Sequence, residues 1–300
     1  MLFWFPVIKF ERPSCLETGR KGFLFPKGEI AMNNQIQYRK PVGISAQGIR
    51  IIGLLLLLVG AIGTGIVQGI MMAADDNLKV TTVALVIEIV QCCALPLFVY
   101  LLVEGVQKTK SMKFYFLRVL IVAVLTEIPF DLINTGKVFD WRFFNPVFSL
   151  LICMVMLYLL RYYSQKEGKN ILVKFVIVAV ALLWTAFQFP TEEAELITRF
   201  GFMRESAALL SEGFPMVALA ATLWFTRKNK SLQVFVGSAV MVLIAMAIPG
   251  WMYLQYMGAP LSMLVIHFYN GEPGEGNRYV NYLAYPVILM VVWLVAKFAF

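Results

Sequence analysis

Long apolar runs separated by short charged loops are what most limit the folds open to this chain. Nine such runs are read, at 49–73, 81–106, 114–134, 145–163, 170–189, 205–226, 231–248, 251–269 and 279–299. They are about 18–25 residues long, which is what a helix needs to cross a hydrocarbon layer. Within hydrocarbon the backbone must satisfy its own hydrogen bonds, so only helices and closed barrels qualify. The strict alternation of a barrel strand is missing. The expected fold is therefore an all-α, polytopic transmembrane helical bundle of about nine spans, with eight or ten as alternatives. Composition agrees: the chain is 60% hydrophobic and 15% charged, against roughly 45–50% and 25% for a soluble domain.

The formal net charge of +8 does not point to nucleic acid. The basic residues sit in alternate loops: Arg39, Lys40 and Arg50; Lys108, Lys110 and Lys113; Arg161, Lys166 and Lys169; Arg227, Lys228 and Lys230. The loops between them are acidic or mixed, with Asp75-Asp76, then Lys137, Asp140 and Arg142, then Glu192, Glu193 and Glu195. Lys and Arg concentrate on the cytoplasmic side, so the expected N-terminus is cytoplasmic. The partner these charges imply is the anionic lipid surface. Cys15, Cys92, Cys93 and Cys153 form no CxxC pair, and a metal or disulfide set is not expected.

Residues 1–48 read as an N-terminal tail ahead of a membrane domain at 49–300. Within the tail, Lys27-Gly28-Glu29 can be encoded by a ribosome-binding sequence, and Met32 follows at a usable distance. One expectation is that translation starts at Met32 and residues 1–31 are a mis-assigned start. The other is an ordinary disordered tail.

The chemistry-bearing residues concentrate in two blocks. The first holds Pro96, Glu104-Gly105, Thr109, Arg118 and then Glu127-Ile128-Pro129-Phe130-Asp131. The second holds Tyr269-Asn270-Gly271, a Gly-rich loop, Tyr279 and Tyr285-Pro286. Charged groups in hydrocarbon cost about 2.5–3.5 kcal/mol each even on lenient scales, so they are rarely idle. Glu127 and Asp131 stand four apart and share a helix face. Two close carboxylates can act as an acid/base pair, and Asn145 is placed to hydrogen-bond them. The competing reading makes them an architectural device that turns the chain, with Pro129 kinking or ending the helix. Glu88 and Gln91 are expected to face the bundle interior. His267, the lone histidine, is either a base or a packed interfacial residue. Glu205 and Glu212 repeat on one helix face. The Gly-rich loop lacks the Lys-Ser/Thr of a phosphate loop and reads as a flexible turn.

The two blocks, in their order and spacing, resemble the TraX family of bacterial membrane proteins. Its founding member is linked to acetylation of conjugative pilin, and the family is similar to the wider transmembrane acyltransferases. The resemblance implies transfer of an acetyl or other acyl group from cytosolic acyl-CoA to a protein or envelope-glycan acceptor. It implies one polar pocket near the inner surface, with Arg118, Thr109, Tyr269, Asn270 and Gly271 toward the donor. Glu104, Glu127, Asp131 or His267 would serve as base, and Pro96, Gly105, Pro129, Asn145, Tyr285 and Pro286 as framework.

Three family positions depart from the pattern. The family's first span carries an Asp-His pair, which falls here at Gly60-Ala61. An arginine falls near Cys92 and a histidine near Ile288. No charged residue lies between Ile51 and Ala74 to replace the pair. Acyl transfer needs a base to take the acceptor's proton. Two readings stay open: an acyltransferase whose base has moved, or a catalytically degenerate scaffold acting in binding, assembly or transport. The oligomeric state is not legible.

Overall fold

We describe a computed structural model over residues 43–63, 65, 77–140, 143–165, 171–186, 209–210, 212–247 and 256–299. Met32, Asp75-Asp76, Glu192, Glu193, Glu195 and Glu205 lie outside the described residues. The helices are α1 (Ala46–Ile62), α2 (Asn77–Cys92), α3 (Ala94–Lys108), α4 (Met112–Asn134), α5 (Pro146–Gln165), α6 (Ile171–Ala186), α7 (Gly213–Thr226), α8 (Lys230–Ala247), α9 (Ala259–His267) and α10 (Arg278–Ala299). The all-α expectation holds, with one addition. Two-residue strands β1 (Phe143–Phe144) and β2 (Leu209–Leu210) pair in parallel.

Three segments are long and apolar enough to cross a membrane: Leu85–Lys108, Pro146–Gln165 and Val280–Phe298. The helical surface carries large apolar side chains in the open, among them Phe175, Phe235, Leu243 and Met246. Water would not tolerate that coat, and lipid tails accept it.

The bundle is built around α3 and α7. Helix α3 packs against α1, α2, α5, α7 and α9, while α7 packs against α3, α5, α6 and α8. Leu97, Val99 and Val106 of α3 meet Val217, Leu219 and Leu223 of α7 in one fully buried cluster. On the far flank α4 packs on α5 and α10, and α10 on α1. Small residues allow the closest approaches. A Cβ on Gly105 would come within 2.5 Å of the Tyr115 hydroxyl, so Gly105 is what lets α4 approach α3.

The run expected as one span, 81–106, is one apolar segment, Leu85–Lys108, interrupted at the single residue Cys93. Pro96 has no N–H, and its ring crowds the carbonyl four residues back. At the junction, the Cys93 carbonyl accepts a hydrogen bond from the Ser262 hydroxyl. The Cys93 thiol in turn reaches Ile89 O at 3.3 Å and Gly258 O at 3.2 Å. The break is thus closed by the start of α9, as a broken helix in hydrocarbon requires. Pro129, by contrast, does not end its helix: α4 continues to Asn134.

Candidate functional site

At the end of the bundle bearing the basic loops, Glu104 is the centre of a polar cluster. Its position in the last turn of α3 leaves its side chain 17% exposed. The Tyr269 hydroxyl donates to its Oε1 at 2.6 Å, and Lys108, four residues on, sits 2.6 Å from the same oxygen. The Tyr269 ring stands edge-on to Tyr100, with centroids 5.6 Å apart, and Lys230 Nζ lies 5.9 Å over its face. Burial, followed by the hydrogen bond and charge of Glu104, pushes the Tyr269 phenol well above its ordinary value; Arg50 opposes this. The phenol is therefore a fixed donor to the carboxylate.

The rest of the Tyr-Asn-Gly motif holds the main chain. Lys230 donates to the Tyr269 carbonyl and Lys108 to the Gly271 carbonyl at 3.2 Å. The Asn270 backbone N–H donates to Ile44 O at 2.9 Å, and its side-chain amide donates to Gly43 O at 3.3 Å. Its Oδ1 accepts from Glu272 N at 2.9 Å, forming a side-chain-stabilised turn. Ile44 donates back to Phe268 O, and Ala46 and Gln47 donate to Glu272 O and Pro273 O. The Gly-rich loop is thus a docking cradle for the start of α1. Gly43, at φ +144°, lies where a Cβ would meet Phe268 O at 2.6 Å. Gln47 and Asn281 complete the clasp with paired amide hydrogen bonds of 2.9 and 2.7 Å.

The structure brings Glu104 and Tyr269 together, and it does not bring Arg118 to them. Arg118 lies exposed on α4, with no hydrogen bond or ion pair among the described residues. His267 is also exposed, its ring edge-on to Phe268. Thr109 caps α3, and its carbonyl accepts from Arg161 at 3.1 Å. The sequence gives Arg161 and Lys230 only a topological role, and it does not mark Tyr100. Their signal was position alone: each lies at a helix end or one turn from a motif residue.

Glu127 and Asp131 lie toward the opposite end of α4, 4% and 1% exposed. Glu127 Oε2 accepts from the Asn145 amide at 2.5 Å and from the Asn145 backbone N–H at 3.2 Å. Asn145 also donates to Ala123 O at 2.8 Å and caps α5 by accepting from Val147 N at 2.9 Å. Asp131 Oδ2 accepts from Asp140 N at 2.8 Å. The two carboxylates therefore hold the segment joining α4 to α5, Asp131 at Asp140 and Glu127 at its last residue, Asn145. Glu127 Oε1 is buried with no hydrogen-bond partner among the described residues. Of the other pair, Gln91 packs on Gly60, and Glu88 points outward against expectation. Glu212 precedes α7 in a left-handed conformation, φ 54°.

Two of the three positions at which the resemblance leads one to expect polar groups, Ala61 and Ile288, belong to one small cluster. Ala61 is buried, together with Leu289 and Val292, beside Ile288 and Tyr285. A Cβ on Gly60 would lie 2.2 Å from the Gln91 side chain. A cavity of about 40 Å³ remains there, lined in part by Ala61, Gln91, Asn134, Tyr285 and Leu289. Cys92 is buried in the main core.

A bundle of apolar helices, with polar clusters confined to helix ends and one flank, defines an integral membrane protein. The family description "TraX protein" matches residues 47–296, and the chain belongs to the TraX family. Neither curated proteins nor solved structures gave a match.

Proposed function

We propose that this TraX protein descends from a membrane acyltransferase that used acyl-CoA, and now works as a non-catalytic binding or assembly scaffold. It sits in the bacterial inner membrane with nine spans and a cytoplasmic N-terminus. The observation that carries the reading is the small chamber lined by Ala61, beside which Ile288 packs. By the resemblance the family's Asp-His pair falls at Gly60-Ala61 and its second histidine near Ile288, and none of these residues carries an acid or a base. Gln91 and Asn134 are amides and take no proton from an acceptor. At about 40 Å³ the chamber is also far below the roughly 300 Å³ at which small-molecule sites begin. The Glu104–Tyr269 cluster, whose bonds join α3 to the loop after α9, serves the scaffold.

One observation favours a second reading, an enzyme with a relocated base: the unpartnered Glu127 Oε1. A single assay divides the two. Protein in nanodiscs is incubated with labelled acetyl-CoA, beside Glu104→Gln and Glu127→Gln. The scaffold reading expects CoA release no faster than in empty nanodiscs for all three. Release by the unaltered protein that Glu127→Gln abolishes would establish the relocated base and end the scaffold reading.

A further inference from the structure

The structure holds a second polar site that neither motif block announces. Between the ends of α3, α5 and α7 lies a cleft of about 270 Å³, lined by Gln107, Arg161, Ser164, Gln165, Trp224 and Arg227. Among the described residues no carboxylate lines it. We infer that this cleft binds a phosphate group, gripped between the Arg161 and Arg227 guanidinium forks.

Both arginines are pre-oriented from behind. Arg161 uses Nη1 to donate to Val106 O at 2.5 Å and Thr109 O at 3.1 Å, the open carbonyls at the end of α3. Arg227 uses Nη1 to donate to Trp224 O at 2.6 Å. Its guanidinium carbon lies 4.2 Å from the Trp224 ring centroid. Each head is therefore fixed through one nitrogen. Among the described residues the remaining nitrogens have no partner. A guanidinium carries five N–H donors and no acceptor. Two held forks flanking one cleft thus present several donors and two positive charges, which suits a planar-fork grip on phosphate oxygens. Burial lowers the Arg227 pKa from its ordinary value, so an anion in the cleft relieves a cost already present. Gln107 and Gln165, both exposed, also line the cleft and carry amide groups. The volume suits a phosphate-bearing head better than a whole drug-sized ligand, which needs about 300–1,000 Å³.

The same chemistry reaches this end of the bundle in two forms, an anionic lipid headgroup or a soluble phosphate compound. The inference does not depend on whether acyl transfer survives, and its readout is binding. Protein in neutral-detergent micelles is titrated with phosphatidic acid and followed by native mass spectrometry, and separately with radiolabelled pyrophosphate by equilibrium dialysis. The variants are Arg227→Gln and Gln165→Glu; the latter keeps both arginines and places a repelling charge on an exposed position. Arg118→Gln is the control, since it removes one charge elsewhere. Either ligand should bind about tenfold more weakly to both cleft variants and normally to the control, as expected for one lost charge-assisted contact. Phosphatidic acid binding that pyrophosphate does not displace assigns the site to lipid; pyrophosphate binding with the same arginine dependence assigns it to a soluble ligand. Equal binding by all four proteins, or none by the unaltered one, overturns the inference.

Discussion

Asn145 does three jobs with one side chain: it caps α5, feeds Glu127 and satisfies the Ala123 carbonyl. Removing it orphans several buried groups at once. Asn145→Ala should therefore cost about 2–4 kcal/mol, from a lost cap and unsatisfied buried acceptors. Glu127→Gln keeps an acceptor facing Asn145 and removes a buried acidic group, so stability should hold within about 1 kcal/mol. Denaturation of both variants in one detergent checks this; a larger loss for Glu127→Gln would show that the charge itself holds the fold. Across the bundle, Tyr269→Phe and Glu104→Gln should show a coupling of about 1–2 kcal/mol in a double-mutant cycle, because one donor meets one carboxylate. Both carboxylate groups were legible as apolar-run charges that need a reason to exist. The Asn145 contact to Glu127 was legible as well; the backbone partner of Asp131, Asp140 N nine residues on, was not, because a main-chain N–H leaves no mark on residue type. The local role of Asn270 was not legible for the same cause. Among its partners are main-chain atoms of Gly43 and Ile44, and backbone contacts across 227 residues leave no mark on residue type.

Element positions were legible wherever hydropathy alone decides them, and α4, α5, α8 and α10 fall close to their expected runs. The division between α2 and α3 was not. Pro96 was visible, but a proline in an apolar run ends one helix and is absorbed by another, as Pro129 and Pro286 show. What decides at Cys93 is a hydroxyl 169 residues away. Ser262→Ala should accordingly lower stability by about 1–2 kcal/mol, since nothing in hydrocarbon replaces the bond. Gly258→Ala should cost more, about 1–3 kcal/mol: its Cβ would lie 2.7 Å from the Ile89 carbonyl oxygen, which belongs to the backbone and has little freedom to yield. Thermal unfolding of the two variants tests the order.

At the scale of the whole molecule, charge distribution assigns the loops to sides. Helix α4 joins a loop holding Lys110 to one holding Val138, and the proposed nine-span topology has these on opposite faces. In a Cys15→Ser background, Val138→Cys in intact cells should react with an impermeant thiol reagent, and Lys110→Cys only after permeabilisation. The native Cys92, Cys93 and Cys153 are buried and should stay silent. The reverse labelling pattern would invert the topology. The cradle for α1 carries a further implication for biogenesis. Gln47 and Asn281 sit 234 residues apart in the chain yet share two hydrogen bonds. A ribosome must therefore finish nearly all of the polypeptide before the opening helix finds its anchor. Until then that helix waits in the bilayer with its entry strand untethered, and any message truncated before codon 268 yields a protein whose beginning, as much as its end, is undone.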